Sequence, residues 1–328
     1  MSIVVKELPT TVPTPSEPLM KLYQSGLKAL NRSPKTIAWY LEILKRYFDF
    51  LSSKGLAKPI RELGTTELNA YILYLQQATR WANNPHLKNK GQMSPYSVQG
   101  YVRAIKAFWS WLYNEGYVET NPLAIFKLPK VPKKLIPVLT IEQIKKLFAA
   151  LDRSTSLGAR NYLILLLLLD TGVRISELVQ IRMSDFDSLL GSVKVTGKGS
   201  KERMVYVSRQ SRKELVKYTK NTRAEICQAT SEYLFPAKDG EHITINSVQQ
   251  TIRRLVEKAG LHGVECHPHT FRHTFATMFL AKGGQTLVLK EILGHESIQT
   301  TEKYIHLQSQ DLQKHHEMFS PLQDLFKD

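Results

Sequence analysis

Two stretches of the chain repeat one hydrophobic pattern. Ser33-Pro34-Lys35-Thr36-Ile37 opens the first and Ser94-Pro95-Tyr96-Ser97-Val98 opens the second. Tyr40, Leu41 and Leu44 are then matched by Tyr101, Val102 and Ile105. Tyr47, Phe48, Phe50 and Leu51 are answered by Phe108, Trp109, Trp111 and Leu112. Apolar positions at this spacing predict two similar helices, over 33–51 and 94–112. Each begins with a serine able to cap and a proline in the first turn, where its missing N–H costs nothing. The aromatic stripe reads as the core of a helical bundle rather than as a base-stacking surface. Lys35, Lys45, Arg46, Arg103 and Lys106 fall on the same two helices, where they suit phosphate contacts or a solvated face equally.

The pattern then breaks. Lys127-Leu128-Pro129-Lys130-Val131-Pro132-Lys133-Lys134-Leu135-Ile136-Pro137 is rich in proline and lysine, which predicts an extended basic linker. Lys130, Lys133 and Lys134 are its candidates for a nucleic-acid backbone. Thr140-Ile141-Glu142-Gln143 has the form of a capping box and opens a second, mostly helical domain. The run Tyr162 to Leu169 is too short for a bilayer and reads as a buried helix. Between Gly191 and Ser208 the period changes. Val193 and Val195 alternate with polar residues, a turn follows at Gly197-Lys198-Gly199-Ser200, and Met204 to Val207 favour strand, so a β-hairpin is predicted, with a third short strand near Asp185-Phe186. Gly240 to Thr244 reads as a loop before a helix starting around Ser247. The fold class is therefore mainly α with a small antiparallel β-sheet. The expected organisation is a flexible tail over 1–15, a helical domain over 16–127, the linker over 128–137, an α+β domain over 138–306 and a tail helix over 307–328.

Charge narrows the class of partner. The net charge is +16, and both parts share it: residues 1–130 carry 17 Lys/Arg against 8 Asp/Glu, and residues 131–328 carry 28 against 21. Two basic domains are expected when both face one polyanion, which points to nucleic acid. Cys227 and Cys266 are the only cysteines, so no disulfide framework is expected and the chain reads as cytoplasmic, on the nucleoid, without a membrane segment. The start of the chain lacks the pattern of a signal peptide.

The chemistry-bearing residues lie in short polar motifs of the second domain. Arg174, in Thr171-Gly172-Val173-Arg174-Ile175-Ser176-Glu177, sits where Gly172 ends one helix and another begins. Its planar fork calls for a carboxylate or an external phosphate, and Glu177 is placed to orient it. Lys198 stands in the hairpin turn, where it either carries a proton into a groove or remains in solvent. The segment is not a phosphate-binding P-loop, because its glycine spacing is wrong and it continues as strand. His269 and Arg272 lie one helical turn apart and can hold two oxygens of one phosphate. The nearby Cys266, His267 and His262 fit no common zinc spacing, so no metal is expected. His295 follows Gly294 at a helix junction, and Tyr304 lies nine residues further on.

Together these motifs closely resemble the tyrosine recombinases, the phage-integrase and Xer-type family. The match is carried by Thr-Gly-Val-Arg174-Ile-Ser-Glu177-Leu, Gly-Lys198-Gly-Ser-Lys201-Glu-Arg203, His269-Thr-Phe-Arg272-His-Thr-Phe-Ala-Thr, and Leu-Gly-His295 with Tyr304. The likeness extends from about residue 18 onward, and the Ser-Pro-led helices resemble the family's core-binding domain. It implies a catalytic set of Arg174, Lys198, His269, Arg272, His295 and Tyr304, supported by Glu177, with Lys201 and Arg203 as further DNA contacts. Tyr304 is then the nucleophile that forms a 3′-phosphotyrosyl link, Lys198 protonates the leaving oxygen, and neither ATP nor a metal cofactor is needed. The resemblance further implies double-stranded DNA at a specific site as substrate. It also implies a homotetramer on two duplexes docked through the tail after Tyr304, with room for an accessory protein or a second recombinase. The alternatives are a type IB topoisomerase-like enzyme of similar chemistry or, in a different class, a non-catalytic DNA-binding protein of the same fold.

Overall fold

The computed structural model describes residues 17–78, 91–132, 136–187, 189–197, 201–227 and 230–304. The chain divides into two compact units, residues 1–134 and 135–328. No helix among the described residues is long and apolar enough to cross a membrane.

The first unit is helical: α1 (Glu17–Ala29), α2 (Pro34–Ser53), α3 (Thr65–Gln77) and α4 (Pro95–Asn114). The repeated Ser-Pro start works as its chemistry requires. Ser33 accepts from the Thr36 N–H at 3.2 Å and Ser94 from the Ser97 N–H at 3.2 Å, with the prolines in the first helical turn. The aromatic stripes of α2 and α4 then turn inward. Tyr47, Phe108 and Trp109 are buried, and Tyr47 meets Tyr71 edge-on at 5.1 Å and Trp109 at 6.0 Å. Such rings each stabilise the unit by about 1.5–3 kcal/mol through burial alone, with a further share from edge-to-face contact. The stripe is core.

The polar faces differ from one basic residue to the next. Lys35, Lys45 and Lys130 are exposed. Arg46 is held by Glu42 at 2.8 Å and reaches Tyr101 at 3.2 Å, while Arg103 donates to Gln99 at 2.5 Å. Lys106 departs from its expected place on a DNA-facing surface. Its ammonium donates to the carbonyls of Ala124 and Phe126 at 3.2 and 2.5 Å, because the chain returning after α4 leaves those acceptors unpaired. Residues 127–132 run without helix or strand, and Gln99 ties them down by donating to the Pro129 carbonyl at 2.9 Å. Lys133 and Lys134 lie outside the described residues.

The second unit places helices around a small sheet. Thr140 and Gln143 form the reciprocal capping box that starts α5 (Ile141–Ala149). The apolar run becomes α6 (Ser156–Thr171), followed by α7 (Ile175–Val179). Strands β1 (Phe186–Asp187), β2 (Ser192–Thr196) and β3 (Glu202–Tyr206) pair antiparallel in the order β1-β2-β3. Val193 faces Val205 and Val195 faces Arg203 across the β2–β3 ladder. Alternation therefore puts Val193, Val195, Arg203 and Val205 on one face, and the three valines are buried. Helices α8 (Arg209–Lys217), α9 (Ile245–Lys258), α10 (Pro268–Ala281), α11 (Thr286–Leu293) and α12 (Gln299–Glu302) complete the unit. Helix α9 starts at Ile245 rather than near Ser247, since Thr244 captures the Ser247 N–H at 3.1 Å and so fixes the cap. The tail helix expected over 307–328 lies outside the described residues.

Candidate active site

Two glycines build the floor of the site. Gly172 ends α6 at φ +61° and Gly294 ends α11 at φ +62°, the left-handed conformation that terminates helices without a Cβ penalty. At Gly172 a Cβ would lie 2.5 Å from Phe275 and 2.8 Å from Leu293, so the two helix ends meet there in close contact. Helix ends present carbonyls without intrahelical partners, and a weakly negative pole with them. Three arginines occupy those acceptors. Arg203 Nε donates to Ile292 O at 3.0 Å, and Arg272 Nη2 donates to Leu293 O at 2.8 Å while its Nη1 donates to Gly172 O at 2.7 Å. Arg174 reaches Leu293 O at 3.5 Å and Gly294 O at 3.3 Å.

One carboxylate orders two of these cations. Glu177, 2% exposed, accepts Arg203 as a fork, Nη1 to Oε1 at 2.8 Å and Nη2 to Oε2 at 2.9 Å. It also accepts Arg174 Nη1 at 2.9 Å and the Arg174 main-chain N–H at 2.9 Å. Burial pushes its carboxyl pKa up, but the hydrogen bonds from Arg203 and the Arg174 backbone prevail, and the net direction is down. Arg203 was expected to touch DNA. Its side chain is instead 14% exposed and spent on Glu177, because β3 alternation turns it to the inner face with Val205. Arg174 remains a third exposed and is not saturated by its single side-chain partner.

Arg272 is buried, and burial followed by the neighbouring Arg174 draws its guanidinium down to about 10, so it stays charged at neutral pH. His295 is buried beside these cations. Burial first, then Arg272, Arg174 and Arg203, hold its imidazole down to about 4, and its Nδ1 lies 2.8 Å from Thr301 Oγ1. His269, at the start of α10, is exposed at its surface but partly shielded, and this partial burial of the ring, then His267 and Arg272, lower its pKa. Tyr304 is 3% exposed in an apolar cluster with Ala276, Leu280, Leu289 and Leu293. Its hydroxyl lies 2.8 Å from Nδ1 of His273. Burial raises the phenol pKa, and Arg272 and Arg174 oppose that rise.

Arg174, Arg272, His295 and Tyr304 thus share one small volume around the end of α11, with His269 on the same helix as Arg272. Lys198 lies outside the described residues. Its chain neighbour Gly197 closes the hairpin by donating to Lys201 O at 2.8 Å, and a Cβ on Gly197 would sit 3.2 Å from Glu177 Oε1. Lys201 is exposed. Two residues with clear roles in this geometry, His273 and Thr301, escaped the reading of the motifs, and Arg203 was named there for a different role. Strand alternation marks Arg203, helical spacing from His269 marks His273, and only the fold brings Thr301 to His295. The cluster can do two things chemically. It can neutralise a dianionic phosphorus centre with fixed guanidiniums and imidazole donors, and it holds a phenol beside a neutral imidazole.

The phage integrase family matches residues 137–311, and the family's N-terminal SAM-like domain matches residues 19–115. Among similar proteins, tyrosine recombinase XerC of Oceanobacillus iheyensis is 32% identical over 287 residues, covering 87% of this chain and 89% of the relative. Tyrosine recombinase XerD of Staphylococcus epidermidis is 29% identical over 290 residues, covering 88% and 93%. The Tn1549 transposon integrase in complex with transposon right end DNA shares the fold, with a TM-score of 0.69 at 20% identity, covering 92% of this chain and 98% of that one. XerH bound to palindromic difH substrate superposes with a TM-score of 0.67 at 21% identity, covering 93% and 85%.

Proposed function

The chain belongs to the phage integrase family and is a tyrosine recombinase, and we propose that it cuts and rejoins double-stranded DNA at a specific site through Tyr304. The observation that carries this assignment is the shared anchoring of Arg174 and Arg272 on the carbonyl of Leu293, in the same apolar and cationic corner that holds the Tyr304 ring. Two fixed guanidiniums and a phenol are what transesterification at a phosphodiester requires.

In the proposed reaction, Tyr304 Oη attacks the scissile phosphorus and the bond to the 5′ oxygen breaks. Arg174 and Arg272 hold the non-bridging oxygens, and His295 adds a hydrogen bond as charge builds. Fixed donors in a site with little water act strongly on that charge, since they need no reorganisation. Glu177 and Arg203 set the orientation of Arg174. His269 contacts the phosphate from the first turn of α10. Lys198 protonates the departing 5′ oxygen. The phosphotyrosyl ester retains the bond energy, so a second 5′-hydroxyl reverses the step on another strand.

Lys35, Lys45 and Lys130, exposed and basic, together with Lys133, Lys134 and Lys201, serve the DNA backbone in this proposal. Arg46 and Arg103 add to the same surface through their remaining N–H groups. The enzyme acts in the cytoplasm on nucleoid DNA, as a homotetramer on two duplexes joined through the segment after Tyr304, with an accessory protein or second recombinase as further partners. The test is a pair of assays on wild type and Arg174→Ala. Wild type is expected to recombine two sites in a plasmid, and Arg174→Ala to lose strand cleavage while retaining DNA affinity within about threefold, a difference of under 1 kcal/mol. Equal loss of affinity and cleavage would make Arg174 a structural residue. Relaxation of supercoils without exchange between sites would favour topoisomerase-like action.

A further inference from the structure

The phenolic proton of Tyr304 must go somewhere as the nucleophile attacks, and the structure offers a specific acceptor. His273 lies on α10 directly after Arg272 and one turn beyond His269. Its Nδ1 is 2.8 Å from Tyr304 Oη, and the two rings lie 5.6 Å apart at 49°. The His269 ring stands further along, 6.5 Å from that of His273. A phenol is a much stronger acid than a neutral imidazole N–H, and an unprotonated imidazole nitrogen is a much stronger base than a phenol oxygen. With the imidazole in its Nε2–H tautomer, the contact is an O–H of Tyr304 donating to Nδ1. We propose that His273 takes the proton of Tyr304 during strand cleavage and returns it during religation. This rests on the assignment of Tyr304 as nucleophile.

The surroundings suit that task. The groups facing His273 are His269, His267 and Arg272 from its own helix and the turn before it, and Lys303 and Tyr304 from the final described segment. Burial first, then the histidines and the cations Arg272 and Lys303, keep the imidazole unprotonated at neutral pH, which leaves Nδ1 free to accept. A DNA phosphate bound at Arg174 and Arg272 brings negative charge into the same cluster and makes the imidazole more basic when it is needed. The step balances. The Oη–P bond forms, the P–O5′ bond breaks with its electron pair on the 5′ oxygen, the phenolic proton moves to Nδ1, and the 5′ oxygen takes its proton from Lys198. In reverse, the imidazolium protonates the departing phenolate.

The experiment is single-turnover cleavage of a nicked suicide duplex by the full-length protein from pH 5 to 9, with DNA affinity measured in parallel. Asn at 273 retains an acceptor near the position of Nδ1 and cannot take a proton, so the informative variant is His273→Asn, with His273→Gln as its companion. Wild type is expected to be level over the neutral and alkaline part of this range, where the imidazole is unprotonated, and to slow only towards its acid end. Both variants are expected to cleave about 100-fold more slowly at pH 7, the lower end of what a positioned base supplies. Their rates should keep climbing with pH towards the phenol range, with DNA affinity unchanged. A His273→Asn rate within threefold of wild type at every pH, or faster than wild type, would overturn the inference while leaving Tyr304 as nucleophile. A wild-type rate with no levelling in this range would overturn it independently of any variant. An adduct formed by Tyr304→Phe would remove the underlying assignment as well.

Discussion

Replacing Glu177 by Gln tests whether one buried carboxylate organises the cationic site. The wild-type carboxylate is 2% exposed and receives four N–H contacts, three from Arg174 and Arg203 side chains and one from the Arg174 main chain, all at 2.8–2.9 Å. Glutamine offers a single acceptor oxygen and points an NH2 group at guanidiniums that can only donate. Breaking a buried ion pair costs about 3–5 kcal/mol, and the third-exposed Arg174 recovers part of its share from water, so about 3 kcal/mol is expected. At about 2–4 °C per kcal/mol for a unit of this size, the melting temperature should fall by on the order of 10 °C. Cleavage should fall by about 100-fold, since Arg174 is left without its orienting partner. The pH dependence supplies an internal check. The carboxyl pKa is lowered by folding, so its contribution is fully present above the unfolded value near 4.5 and is lost as pH falls through the folded value. The gap in melting temperature between the two proteins should therefore hold steady from pH 8 to 5.5 and narrow below about 4.5. Thermal scans across pH, beside single-turnover cleavage, read both quantities. A Gln variant melting within 2 °C of wild type at pH 7 would refute the reasoning.

Three further outcomes follow from the same geometry. Gly172→Ala forces a Cβ into left-handed backbone and within 2.5 Å of Phe275, so denaturant unfolding should show a loss of about 2–4 kcal/mol. Thr301→Val keeps the shape of a buried residue but removes the hydroxyl that meets His295 Nδ1, so cleavage should slow by about tenfold with DNA affinity unchanged; an unaltered rate would exclude a positioning role for Thr301. His273 and His295 are held down to about 4 against an ordinary 6.5, so DNA-free protein should lose stability as pH drops from about 6.5 towards 4. Bound DNA should lessen that loss, because its phosphate favours the protonated imidazoles, and parallel melting curves with and without duplex would check it.

The elements were legible where sequence chemistry is local. Ser33 and Ser94 cap as their Ser-Pro context requires, Thr140 and Gln143 form their box, and the β2–β3 hairpin follows the switch to alternation at Val193 and Val195. The aromatic positions of α2 and α4 could be assigned to the core because their spacing stays on one helical face. Side chains whose roles depend on distant partners were harder to read. Lys106 looks like any surface lysine until the chain beyond α4 brings two carbonyls to it. Arg203 resembles a turn-proximal DNA contact until register sets it opposite Val195, facing Glu177. His273 stands beside Arg272 in the sequence, yet its relation to Tyr304 spans 31 residues and arises only when the final segment folds onto α10. Sequence motifs mark which chemical groups are available, while the meeting of the α6 and α11 ends decides which of them converge.

The central claim is that Tyr304 becomes covalently joined to DNA. A nicked suicide duplex that loses its 5′-hydroxyl fragment on cleavage should trap the wild-type protein as a stable adduct. Protease digestion and mass spectrometry should then find the nucleotide 3′-phosphate on the peptide containing Tyr304, with no adduct from Tyr304→Phe. A phosphotyrosyl bond at another residue, a 5′-phosphate linkage, or an undiminished adduct from the Phe variant would contradict the account.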